Sequence, residues 1–172
     1  MYNSLSKEFN LIRKDPKLIL TLPIALFILV LLLPFKKLFY FRFGFLHSDR
    51  IGHFTMNTEL SILEDKKFKT KSVHDFYYFG GKICNIFFAK KLSEILNIYP
   101  KIFIRPFCLI CRSLKIFKHN VTGSTISSDN DIMNLFEKYP SQIKLNKTEI
   151  KKGYEILKSI GLSNNSKIVC LI

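Results

Sequence analysis

The segment Ser48-Asp49-Arg50-Ile51-Gly52-His53-Phe54-Thr55-Met56-Asn57-Thr58-Glu59 concentrates side chains that could do chemistry. His53 can exchange a proton near neutral pH, and Arg50 is a permanent cation whose planar fork can grip two oxygens at once. Gly52 lies between them and has no Cβ, so a substrate or another backbone can come close there. The segment closes on Asn57 and Glu59, an amide and a carboxylate. The same residues admit a plainer reading, in which His53 is a helix-cap or core histidine.

Such chemistry needs elements to position it. The aromatic, nearly continuous apolar run Leu38 to Leu46 predicts a strand buried on both faces. A short polar turn follows, then a helix from Ile51 to about Lys67 with Met56, Leu60 and Leu63 on one face. A helix that starts at the carboxyl end of a strand points its unpaired N–H groups into the crevice where α/β proteins bind ligands. Val73 to Phe79 predicts a second strand, Gly80-Gly81 its turn, and Ile83 to Ile98 a second helix with Ile83, Phe87, Ile95 and Leu96 among its apolar positions. From Lys101 to Phe117, Pro106 either ends a strand at Arg105 or opens a helix carrying Phe107, Ile110, Leu114 and Phe117; strand then helix is the expectation. Lys118 to Asp131 is polar and turn-rich and predicts a mobile loop. Asn146 with Glu149 reads as a capping box, Gly161 as a C-cap, and Lys167 to Ile172 as a last strand. This order predicts a doubly wound α/β domain with a parallel sheet.

The string Arg42-Phe43-Gly44-Phe45-Leu46-His47-Ser48-Asp49-Arg50-Ile51-Gly52-His53, with Asn57-Thr58-Glu59 after it, resembles the opening motif of a family of bacterial glycosyltransferases associated with surface-polysaccharide synthesis. Members of that family read Arg-Phe-Gly-x-Leu-x-Ser-x-Arg-Ile-Gly-His, followed shortly by Asn-Thr-Glu. Asp75-Phe76-Tyr77-Tyr78-Phe79 is similar to the family's second strand and Ile98-Tyr99-Pro100 to its next connection. Thr148-Glu149-Ile150-Lys151-Lys152-Gly153 is similar to the start of the helix before its last strand here. The resemblance runs over residues 38–172 and stops before an Arg-Asp-Ser motif and a second domain that the family carries.

It implies the N-terminal part of a two-domain, GT-B-like enzyme with Rossmann-like domains, inactive as this chain alone. The acceptor, a glycan or a lipid-linked sugar, would meet this domain, and the nucleotide-sugar donor would bind the C-terminal one. No cofactor or metal of its own is expected. The resemblance makes His53 and Glu59 the candidate catalytic residues. His53 would be general base on the acceptor hydroxyl or would orient it, and Glu59 would be the alternative base or the partner that sets the His53 tautomer. Arg50, Gly52 and Asn57 become candidate substrate-binding residues, with Arg50 on a phosphate or developing negative charge. A second reading is a non-catalytic, membrane-anchored α/β interaction protein or remnant.

Ahead of this domain, Leu18 to Phe35 is a run of 18 uncharged, mostly large apolar residues. At roughly 1.5 Å per residue it makes a helix of roughly 27 Å, against a hydrocarbon core of roughly 30 Å. Asp15 and Pro16 suit its N-terminus, and Pro34 with Lys36-Lys37 suits a stop at the interface. The run ends without a small residue to cut after, which argues against a cleaved signal peptide. Basic residues flank both ends, as suits a helix dipping into the cytoplasmic face of a membrane with both ends on one side. The expectation is therefore a membrane anchor in residues 1–37, an α/β part in residues 38–172, a membrane lipid as partner, and the bacterial inner membrane as location with the α/β part cytoplasmic.

The remaining signals have bland explanations. A net charge of +14 could attract phosphates, but the lysines are spread along the whole chain, so no nucleic-acid partner is expected. Cys108-Leu109-Ile110-Cys111 has the spacing of half a zinc site or of a redox pair, yet no second pair or His cluster accompanies it. Asp129-Asn130-Asp131 has the form of a metal-holding Asp-x-Asp but reads as the cap of a short helix running toward Tyr139.

Overall fold

The computed structural model describes residues 16–68, 73–114 and 130–162. Within them the chain is mixed α/β, in two compact units divided between Gln142 and Ile143. The first unit opens with helix α1 (Pro16–Leu32), which tightens into a 3-10 turn at Leu33–Lys37. Strand β1 (Tyr40–Leu46) follows, then a π-helical stretch (His53–Asn57) that runs straight into α2 (Thr58–Phe68). After β2 (Val73–Phe79) come α3 (Ile86–Ile95), α4 (Lys101–Leu114) and the single turn α5 (Leu135–Lys138).

β1 and β2 are parallel and in register from Tyr40 opposite Val73 to Leu46 opposite Phe79. Alternation along the strands gives the sheet two different faces. Phe41, Phe43, Phe45, Phe76 and Tyr78 point one way and pack against α4, where Phe107 stacks on Phe43 at 4.9 Å between ring centroids. α1 lies against α4 in its turn, and its Ala25 and Leu29 are buried with Ile104, Cys108 and Cys111 in one cluster. Arg42, Gly44, Leu46, Asp75, Tyr77 and Phe79 point the other way. There Phe54 at the helix start meets Phe79 and Phe88 edge-on. The sheet is thus covered on both sides, as parallel sheets are.

Two expected elements differ. Lys101 to Arg105 is not a strand: α4 is helical from Lys101 to Leu114 with Pro106 inside it. The reason is the spacing of Ile104, Cys108 and Cys111, which recur at i, i+4 and i+7 and are buried together, a helical period that a strand would break. Pro106 forgoes one backbone bond near the helix start and is itself buried. The third position in the sheet is filled instead by a single bridge, Tyr77 with Ile98, where Tyr77 N–H donates to Asn97 O and Tyr99 N–H to Tyr77 O. The second difference is on α2. Leu60 and Leu63 are fully buried against Leu135, but Met56 is 39% exposed and leaves their face, because the π-helical turn between them is wider than an α turn. On α3 the buried residues are Ala89, Lys91 and Leu92, while Phe87 and Ile95 are exposed.

The second unit holds α6 (Lys147–Ser159). Asn146 caps it by accepting from Glu149 N–H while Glu149 reaches back to Asn146 N–H, the expected capping box. Gly161 ends it at φ +87°, a conformation that costs a Cβ-bearing residue. The expected last strand, the expected loop as far as residue 129 and the N-terminal flank before Pro16 lie outside the described residues.

α1 extends with its 3-10 turn to Pro16–Phe35, 20 residues that are long and apolar enough to cross a membrane. Only one stripe of it, Leu18, Ala25 and Leu29, is buried.

Candidate functional site

The carboxyl ends of β1 and β2 are clasped together just beyond the sheet. Ser48, fully buried, donates from Oγ to Gly81 O at 3.1 Å and accepts from Gly81 N–H at 3.2 Å. Gly80 N–H donates to Leu46 O, and Cys84 N–H to Ser48 O. The approach is close enough that a Cβ on Gly80 would stand 2.6 Å from the Phe45 ring and 3.1 Å from Leu46 O. The glycine pair is therefore needed for contact between the two strand ends rather than for a left-handed turn.

This clasp fixes where the next helix begins. It starts at Ile51, Phe54 N–H bonds to Arg50 O, and the π-helical turn then covers His53 to Asn57. Single π turns inside α-helices recur at functional sites, since the wider turn re-aims side chains. Here it sets Asn57 Nδ2 at 3.1 Å from His53 Nδ1. With the amide N–H as donor, Nδ1 is the acceptor, a pairing that goes with the tautomer whose proton is on Nε2. His47 stands beside this ring, with centroids 6.0 Å apart, and itself packs edge-on against Phe45.

The other candidate residues are distributed around this point. Gly52 has helical dihedrals, and among the described residues nothing outside its own stretch of helix lies within 4 Å of where a Cβ would be, so the chain is open to close approach there. Arg50 is exposed at the helix entry. Glu59 is 7% exposed, accepts from Gln142 N–H through Oε1, and buries Oε2 without a hydrogen-bond partner among the described residues. The side chain bonded to His53 Nδ1 is thus Asn57, and Glu59 is bonded to the segment after α5.

One charged residue of the motif, Arg42, has a different place, beside Asp75 of the second strand. Arg42 and Asp75 are register partners on adjacent strands, joined by Nε to Oδ1 at 2.5 Å and Nη2 to Oδ2 at 2.6 Å, both largely buried. A bidentate pair of this kind staples β1 to β2. Sequence reasoning did not single them out, though a signal existed: each is the third residue of a seven-residue strand that is otherwise mostly apolar or aromatic.

Cys108 and Cys111, which are not joined in a disulfide, lie inside the apolar cluster behind the sheet. Burial pushes the Cys108 thiol well up, and the neighbouring Cys111 adds to the shift. Burial also pushes up the Tyr78 phenol, with Cys108 adding to it. Neither thiol there is a ready nucleophile or metal ligand. Asp131 accepts from Leu135 and Phe136 N–H and caps α5. Desolvation raises its pKa, but the backbone N–H groups of Leu135, Phe136 and Met133 and the Lys138 charge outweigh it, and the net shift is downward. Among the described residues no three of His, Cys, Asp and Glu gather as a metal site. No family model matches the chain, and no curated protein or solved structure is significantly similar to it.

Proposed function

We propose that this chain forms the acceptor side of a membrane-associated glycosyltransferase that acts in bacterial surface-polysaccharide synthesis. The observation that carries the reading is the setting of the motif that resembles that family. Its residues from Arg42 to Asn57 run from a parallel strand, through a clasped strand end, into a helix start where an oriented histidine stands next to an open glycine. That is where an open α/β sheet takes its ligand.

The acceptor hydroxyl approaches over Gly52. His53, its ring held by Asn57 at Nδ1, orients the acceptor hydroxyl or takes its proton. Arg50 meets a phosphate or the negative charge that develops as the glycosidic bond to the nucleotide breaks. The donor nucleotide sugar sits on a second, GT-B-like domain. The helix Pro16–Phe35 holds the enzyme at the bilayer, where a lipid-linked acceptor is confined and its effective concentration is high.

The test replaces the native copy in the producing cell by His53→Ala or Asn57→Ala and follows transfer from radiolabelled nucleotide sugars into the lipid fraction of its membranes. His53→Ala should lower transfer by roughly 100-fold or more, and Asn57→Ala by less, with both proteins still folded. Full transfer by the His53 variant would overturn the site, and no dependence of transfer on the protein at all would favour a non-catalytic membrane-anchored interaction protein.

A further inference from the structure

We propose that the trough between α1 and α4 is a lipid site that holds an acyl chain of an anionic membrane phospholipid. The proposal rests on the membrane placement above and not on glycosyl transfer.

The two walls come from different parts of the chain. Ile19, Leu22 and Leu26 of α1 face Leu109, Ile110 and Leu114 of α4 across an open trough of about 430 Å³, and among the described residues Ser113 is its only polar side chain. One wall is therefore the membrane-length helix itself. α1 is not a free tether, since Ala25 and Leu29 are buried against Ile104, Cys108 and Cys111. When α1 enters the bilayer, α4 is carried to the same depth and the trough opens into the acyl layer.

The rest of α1 agrees with immersion. Leu20 is 75% exposed and Phe27 65%, and α4 adds Phe103 at 61%. An apolar surface of this extent is removed from water by lipid at little cost in specificity, whereas a concave apolar trough retains a chain that fits it.

Charge selects the lipid. Neither helix contains an Asp or Glu, while α4 carries Lys101, Arg105 and Arg112 and α1 begins Pro16-Lys17. Lys17 and Arg112 are both exposed and lie within one helical turn of the lining residues Ile19 and Ser113, so their long side chains are close enough along each helix to reach a headgroup at the mouth of the trough. Basic residues at the membrane surface favour anionic headgroups by about 1 kcal/mol each, which is roughly fivefold in local partitioning.

The chain has no tryptophan, so Leu109→Trp puts a single reporter in the trough of the full chain and Phe27→Trp one on the outward face of α1. Each is reconstituted in mixed phosphatidylglycerol and phosphatidylcholine vesicles in which one lipid at a time has brominated acyl chains, which quench indole on contact. Phe27→Trp should be quenched alike by both. Leu109→Trp should be quenched roughly twofold or more strongly by brominated phosphatidylglycerol than by the same fraction of brominated phosphatidylcholine. Equal quenching of Leu109→Trp by both lipids would mean immersion without a site. Quenching of Phe27→Trp alone would mean that a second copy or another segment fills the trough, and either result overturns the proposal. An unquenched Phe27→Trp would refute the membrane placement itself. Ser113→Trp serves as the trough reporter should Leu109→Trp lose its helical circular dichroism.

Discussion

Gly52 separates a structural from a functional account of the motif. Its φ of −60° is helical, and among the described residues nothing beyond its own stretch of helix lies within 4 Å of a built Cβ, so neither backbone nor packing there calls for glycine. Alanine at such a position stabilises by roughly 0.4–1 kcal/mol, because the unfolded chain has fewer states to lose. Gly52→Ala is therefore expected to hold or raise Tm while lowering transfer by roughly 10-fold or more, since a methyl group displaces a reacting hydroxyl. Transfer at the wild-type level would show that nothing approaches there. At this scale the sequence revealed the residue types but not their pairings. His53 and Glu59 looked like partners because both can titrate, whereas Asn57 reaches the ring. Arg42 and Asp75 meet only when two strands 33 residues apart fall into register, a relation that no local spacing contains.

Elements defined by local chemistry were legible in advance. Strands β1 and β2, the Asn146–Glu149 box and the Gly161 stop each depend on a few adjacent residues, and each stands close to where the sequence placed it. Helix α4 was not legible, because an apolar run broken by proline looks alike as strand or helix until its partners are known; Phe43 and Leu29 make the choice by burying Ile104, Cys108 and Cys111 on one side. The clasp beyond the strands is an element-scale device with its own test. Ser48→Ala removes the buried hydroxyl that bonds both the N–H and the C=O of the exposed Gly81, and a hydrogen bond lost at such a part-buried place costs about 0.5–1.5 kcal/mol. Thermal unfolding in detergent should show that loss, and an unchanged Tm would mean that the remaining bonds from Gly80 and Cys84 hold the strand ends alone.

For the molecule as a whole, α1 belongs to the core as well as to any membrane. Removing residues 1–37 uncovers Ile104, Ile110 and Cys111 and forfeits the burial of Leu18 and Leu29, roughly 2 kcal/mol for each leucine. The shortened protein should sediment as aggregate in the absence of detergent and lose its cooperative melt. A soluble monomer that unfolds cooperatively would show that α1 is only a tether. The π-helical turn has a comparable reach. An α-helix advances about 100° per residue, and a turn that takes up extra chain delays that rotation. The helix through His53 and Leu60 consequently carries two stretches out of rotational phase, one aimed at the strand ends and the other at Leu135. Its length in residues is a setting rather than a filler. Shortening the turn by one residue would restore a regular helix and swing His53 and Asn57 around the axis relative to Leu60 and Leu63, so the fold cannot seat its leucines and aim its histidine at once unless that extra residue stays.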